Sequence, residues 1–270
     1  MTPGEQAEAR IVELGITDPR DLDVEAIAAD AGVTVQYGPL NGCDATLVGF
    51  RRRAIATIKR SPSRGRERFS IGHEIGHWEL HRGKSFRCRV EDPSENLASD
   101  ATLEKEADSY ASHLLMPGSL FNPIIKPLGM PGFRQIEEVA ERFQTSLLAT
   151  TIRLAHVNKL PVIVACYTLT KLRWHVRASD VPNRWWLRDK LDNDSFAYEL
   201  LTVGKTYPVP RKQPGEVWFT NDDAHKYEVR EHCQQTGNGD ALVLIYLSDS
   251  EMMEARYDPN VYHRKVSPRR

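Results

Sequence analysis

The sequence predicts an α+β fold: a mainly helical first part around a small β-sheet, then a helical pair, then a smaller strand-rich module. Two features of the apolar pattern carry this. Toward the N-terminus the apolar residues recur at three and four spacing, as in Ile71, Ile75 and Trp78 or in Leu103, Ala107, Tyr110, Ala111 and Leu114, which marks amphipathic helices. After Pro161 they gather into short runs closed by turn residues, which marks strands.

In chain order, residues 3–14 have the rhythm of an amphipathic helix. Asp21 and Asp23 open a second helix through Val24, Ile27 and Ala28, and Gly32 closes it. Residues 33–37 read as a strand, and 44–50 with 54–58 flank Arg51, Arg52 and Arg53 as a hairpin. Residues 51–68 hold eight Lys or Arg and only Glu67 as an acid, the pattern of a solvated turn and loop. Strand 54–58 is expected at the sheet edge, where it would pair with an extended substrate by strand addition. Residues 69–81 form a helix, 82–102 a polar aperiodic loop, and 103–117 a second long helix stopped near Pro117.

Residues 121–133 carry five prolines or glycines and read as irregular connection. Two short helices follow, 135–143 and 146–154, with Ser146 as N-cap. Their spacing is that of a helix-turn-helix, but Arg153 is the lone base on the second helix, so direct DNA binding is not expected. Strands are predicted at 162–167, 173–177, 217–219, 227–229 and 241–246, with one helix at 194–201 among them, and Trp185, Trp186 and Trp218 are assigned to the core. The division expected is 1–130, 131–159 for the helical pair, 160–255 for the α+β module and 256–270 for a tail.

Composition excludes several classes. A net charge of −1 gives no global field toward nucleic acid or membrane. No apolar run approaches the roughly 20 residues that span a bilayer, and Met1 to Arg10 is polar rather than signal-like. Cys43, Cys88, Cys166 and Cys233 are scattered without a C-x-x-C pair, as reduced thiols of a cytoplasmic protein are.

The chemistry is concentrated in His73-Glu74-Ile75-Gly76-His77. Residues four apart share a helix face, so both imidazoles turn toward one point, as a tetrahedral zinc ion needs. Glu74 is placed to act as general base on the attacking water, the arrangement of a zinc peptidase. His81 continues the step, but on a straight helix it is roughly 12 Å from His73 and turned by about 80°, too far to share an ion. It is read as support behind the ligands or as helix-end structure. The third ligand is sought on 103–117, where Glu104 and Asp108 share a face. A Glu ligand with an Asp one turn later fits a site whose Asp receives the free N–H of a ligand histidine. Glu106 is the rival ligand, about 160° from Asp108 around the helix.

The run Phe69-Ser-Ile-Gly-His73-Glu74-Ile-Gly-His77, with Glu104, Ala107, Asp108, Tyr110, Ala111, Leu114, Leu115, Met116 and Pro117 downstream, resembles the ImmA/IrrE family of metallopeptidases over roughly residues 10–155. Tyr110 and His113 depart from the family's usual Phe and Glu without touching a ligand position. The resemblance implies a zincin-like peptidase domain, zinc (or manganese in the cell) on His73, His77 and Glu104, and Glu74 as base. It further implies a helix-turn-helix repressor as substrate, cleaved to release stress-response or mobile-element genes, and a C-terminal module similar to GAF-type sensor domains. The alternative is a metal-binding regulator, or an antitoxin-like module that captures a repressor or DNA without cutting.

Overall fold

The computed structural model describes residues 1–82, 86–88, 98–157 and 160–254. Two compact units emerge: one of residues 1–127 and 137–153, the other of 128–136 and 154 onward. The expected tail, 256–270, lies outside the described residues. No described helix is long and apolar enough to cross a membrane.

In the first unit, helix α1 (Pro3–Glu13) begins with a reciprocal cap, the Glu5 N–H donating to Thr2 Oγ1 at 3.2 Å and the Thr2 N–H to Glu5 Oε2 at 2.8 Å. Asp23 caps α2 (Val24–Asp30) through the Glu25 and Ala26 N–H groups. Strands β1 (Val33–Tyr37), β2 (Ala45–Phe50), β3 (Arg53–Ile58) and β4 (Phe86–Cys88) form a sheet in the order β1-β3-β2-β4. β1 runs parallel to β3, while β2 is antiparallel to both β3 and β4. Ala45, Leu47, Ala54, Ala56 and Ile58 are buried, and Val48, Phe50 and Ile55 face out, which is the period-two alternation of a sheet with one covered face.

This topology corrects one expectation. Strand 54–58 lies in the sheet interior, hydrogen-bonded to β1 on one side and β2 on the other, so it has no free edge for a substrate strand. A second correction concerns 82–102, which contains β4 and the start of the next long helix rather than loop alone. The further helices of this unit are α3 (Arg64–Leu80), α4 (Ala98–Leu115), α5 (Gly118–Ile125) and the parts of α6 (Phe133–Phe143) and α7 (Leu147–His156) that fall within it. The second half of α5, residues 121–125, falls in the stretch 121–133 that the prolines and glycines predict as irregular connection. Pro123 sits inside the helix and has no N–H to donate to the carbonyl four residues back, but that carbonyl belongs to exposed Ser119, while Phe121 and Ile125 are fully buried. Ser146 accepts the Ala149 N–H at 3.1 Å at the start of α7.

Arg153, the one Lys or Arg on α7, is 1 % exposed. It donates to Glu8 Oε1 at 3.0 Å and to the Met116 carbonyl at 2.9 Å, and meets His113 Nε2 at 2.7 Å. It is spent on a buried cluster joining α1, α4 and α7, not presented to a phosphate backbone.

The second unit is built on an antiparallel sheet ordered β6-β5-β9-β8-β7: β5 (Val162–Tyr167), β6 (Leu172–Arg177), β7 (Arg211–Pro214), β8 (Glu228–Gln235) and β9 (Ala241–Tyr246). Every residue of β5 and β9 is buried, as central strands covered on both faces require. Residues 217–219 are not a strand: a 3-10 turn at Gly215–Val217 places the Trp218 and Phe219 N–H groups on the Gly215 carbonyl. Trp185 and Trp218 are in the core as expected, but Trp186 is 48 % exposed. Helix α8 (Phe196–Val203) is capped by Ser195, and the fully buried Glu231 accepts the Ala197 N–H at 2.7 Å and Trp218 Nε1–H at 3.1 Å. Burial outweighs these hydrogen bonds and raises the Glu231 carboxyl to about 7.

Candidate metal centre

Helix α3 is started by Ser63, whose hydroxyl accepts the Arg66 N–H, and its middle is buried from Ile71 through Trp78. Such a helix needs either polar partners or an ion for its His and Glu side chains. Its closest neighbour is α4, and small residues set the approach. A Cβ on Gly76 would come within 3.1 Å of Ala107 Cα, and one on Gly72 within 3.4 Å of Ala111 Cα. With no Cβ at either point, the two backbones lie close enough for short side chains to meet.

Three do meet. His73 Nε2 and His77 Nε2 are 3.0 Å apart, Glu104 Oε2 is 3.1 Å from the first, and Glu104 Oε1 is 3.3 Å from the second. A tetrahedral ion with bonds of about 2.0–2.1 Å sets neighbouring ligand atoms about 3.3–3.4 Å apart. The cluster matches that edge length within a few tenths of an ångström. Its chemistry fits as well: Asp108 Oδ1 lies 2.9 Å from His73 Nδ1, so this ring carries its proton there and turns a lone pair inward. Lone pairs and a carboxylate converging this closely call for a cation. Among the described residues this is the one group of three acids, histidines or cysteines arranged to hold a metal.

Burial disfavours an ionised Glu104, yet the His73 and His77 nitrogens outweigh it and hold the carboxyl at about 2. Burial lowers the His77 pKa, opposed by Glu104. Both effects favour the forms that bind a metal: neutral imidazole and ionised carboxylate. His73 and His77 are buried, whereas the Glu104 and Asp108 side chains are 30 % and 56 % exposed, so the cluster has a closed floor and an open side.

Glu74, expected as the base, is fully buried one residue along α3 from His73. Glu106 is not part of the cluster; its Oε2 is 2.9 Å from His81 Nε2. His81 closes α3 as its C-cap, with Nδ1 3.1 Å from Nδ1 of His77, on the side of that ring away from the cluster. The sequence marks His81 as support or helix-end structure and Glu106 as a rival ligand; the structure pairs the two instead. A carboxylate two residues from Glu104 and a histidine four after His77 were the available signals.

Residues 28–155 match the description of the IrrE N-terminal-like domain. Over that segment, just under half of its length, the chain is similar to the ImmA/IrrE metallopeptidases. Over 139 residues the chain is 25 % identical to the radiation response metalloprotease IrrE of Deinococcus radiodurans. That match takes in 52 % of this chain and 42 % of the relative, so it reaches less than half of that protein's length. A Mycobacterium tuberculosis transcriptional regulator shares the fold, with a TM-score of 0.59 over 95 % of this chain and 91 % of its own, at 13 % identity. The IrrE-like segment contains α3, α4 and every residue of the cluster.

Proposed function

We propose that this chain is a zinc-dependent endopeptidase whose substrate is a helix-turn-helix transcriptional repressor, cut so that stress-response or mobile-element genes are transcribed. The observation that supports this most is the convergence of His73, His77 and Glu104 within 4.8 Å on two tightly packed helices, with Glu74 buried on the same turn. Two imidazoles and a carboxylate suit zinc, and manganese is compatible. The likeness to a named metalloprotease favours peptide cleavage, and the fold shared with a transcriptional regulator agrees with work on gene control.

In this reading His73, His77 and Glu104 hold the metal, and Asp108 keeps the His73 ring turned toward it. Bound there, zinc supplies a Lewis acid that polarises the scissile carbonyl and acidifies water. Glu74 takes the proton of the attacking water as its oxygen joins the carbonyl carbon, then gives it to the amine nitrogen as the C–N bond breaks. The open side of the cluster admits the extended substrate.

The test is incubation of the zinc-loaded protein with repressors encoded beside its gene. Discrete fragments from wild type and none from Glu74→Gln, with zinc still bound to both, are expected. Repressors that remain whole but bound would instead favour a capturing module without peptidase activity.

A further inference from the structure

We infer that Glu106 and His81 are positioning residues that fix which nitrogen of His77 faces the metal. The inference deepens the reading above and rests on it. Glu106 as a carboxylate only accepts hydrogen bonds, so the His81 Nε2 at 2.9 Å carries the proton of that pair. A neutral imidazole has a single N–H, which leaves His81 Nδ1 as an acceptor. The atom 3.1 Å from it is Nδ1 of His77, which must therefore donate. His77 then has its one proton on Nδ1 and a lone pair on Nε2, the atom that meets His73 and Glu104. The side chain of His77 is fully buried and that of His81 is 5 % exposed, so bulk water does not set either tautomer.

The two ligand rings are thus held by two acids of α4. Asp108 acts on His73 directly, whereas Glu106 acts on His77 through His81. A carboxylate behind a ligand histidine orients the ring and raises its basicity. The intervening imidazole lets an acid that is 42 % exposed do this for a ring that solvent does not reach.

The experiment measures zinc affinity by competition with a chromogenic chelator. Glu106→Leu and His81→Leu are expected to weaken binding by about 10–100-fold, and exposed Lys105→Ala to leave it unchanged. His81→Gln is expected to recover most of the loss, because its amide oxygen accepts from His77 Nδ1–H while its NH2 group donates to Glu106. Long-range proton–nitrogen spectra of wild type are expected to place the His77 proton on Nδ1 and the His81 proton on Nε2. Wild-type affinity in both Leu variants, a Gln variant no better than His81→Leu, or a His77 proton on Nε2 would each overturn the relay alone. Zinc binding that Glu104→Ala leaves intact would overturn the metal site beneath it.

Discussion

Two glycines of α3 make opposite predictions although they lie one turn apart on the same buried face. A Cβ at Gly76 meets Ala107 Cα and Tyr110 Cβ at 3.1 Å and the Ala107 carbonyl oxygen at 3.2 Å. Carbon atoms in contact prefer about 3.5–4.0 Å, so Gly76→Ala must push α4 away by roughly 0.4 Å, and two of the three atoms it meets are backbone. A Cβ at Gly72 meets Ala111 Cα and Cβ at 3.4 Å, short of comfort by only about 0.1 Å. Alanine gains about 0.8–1.0 kcal/mol over glycine in a helix interior, while overpacking costs about 1–3 kcal/mol. Gly72→Ala is therefore expected to be neutral or to stabilise by up to about 1 kcal/mol, and Gly76→Ala to destabilise by up to about 2 kcal/mol. Glu104 lies one turn before Ala107, so the same retreat carries its carboxylate from the histidines; metal bonds tolerate about 0.2 Å. Zinc affinity should fall in Gly76→Ala and hold in Gly72→Ala. Urea unfolding of the metal-free proteins and chelator competition read both quantities. If Gly76→Ala proves as stable as Gly72→Ala with unaltered zinc affinity, the close helix contact does not position the site.

The other expectations can be measured on the same preparations. Glu104→Ala should bind zinc at least about 100-fold more weakly, whereas Glu74→Gln should keep zinc and lose about 10²–10⁴-fold in cleavage rate; calorimetry and fragment analysis separate the two. Removing zinc should lower the unfolding midpoint of the first unit, since metal at 100 times its Kd adds about 2.7 kcal/mol; a midpoint indifferent to chelator would speak against a preformed site. Glu231 has its carboxyl raised to about 7 in the folded chain, so between its unfolded value and 7 the native state holds the extra proton. Its contribution to stability should thus be full below pH 4 to 5 and decline by up to about 3 kcal/mol through pH 7, a slope that Glu231→Gln should remove in denaturation curves at pH 5 and 8. Arg153→Leu should destabilise the first unit by about 1–3 kcal/mol, because it removes the donors to the Met116 carbonyl and to Glu8, which keeps only His113 and the Gly118 N–H; a wild-type melting curve would show that the cluster contributes nothing.

What the sequence disclosed about this molecule follows the range of the interactions concerned. His73 and His77 share a helix face by spacing alone, and Asp23 announces a helix start within three residues of the groups it caps, whereas the start of α3 after Ser63 lies inside 51–68, where the run of basic residues reads as turn and loop. The choice between Glu104 and Glu106 lies at longer range. Facing arguments favoured Glu104 because Asp108 shares its side, and the reason Glu106 is elsewhere is His81, 25 positions away. Strand 54–58 was misplaced because its hairpin partner β2 occupies one flank, while the parallel partner β1 on the other leaves no local mark. The strand at 217–219 failed for a local reason: Pro214 and Gly215 turn the chain before two buried aromatics that otherwise favour extended backbone. The cluster of Glu8, His113 and Arg153, with separations of up to 145 positions, has no signature at all in a linear reading.

The ligand motif therefore accounts for only part of the site. Glycine in a helix interior costs about 1 kcal/mol against alanine, and α3 carries two in its buried middle. Their cost is offset by the burial of Ile71, Ile75 and Trp78 on the same helix, each worth about 1.5–3 kcal/mol. In exchange α4 comes near enough for glutamate at 104 to touch two histidines at once and for acids at 106 and 108 to reach the rings behind them. A side chain at 76 would leave the His-Glu-x-x-His pattern intact in the sequence and push Glu104 away from it. The geometry of this cluster depends on residues without side chains as much as on the histidines and the glutamate that form it.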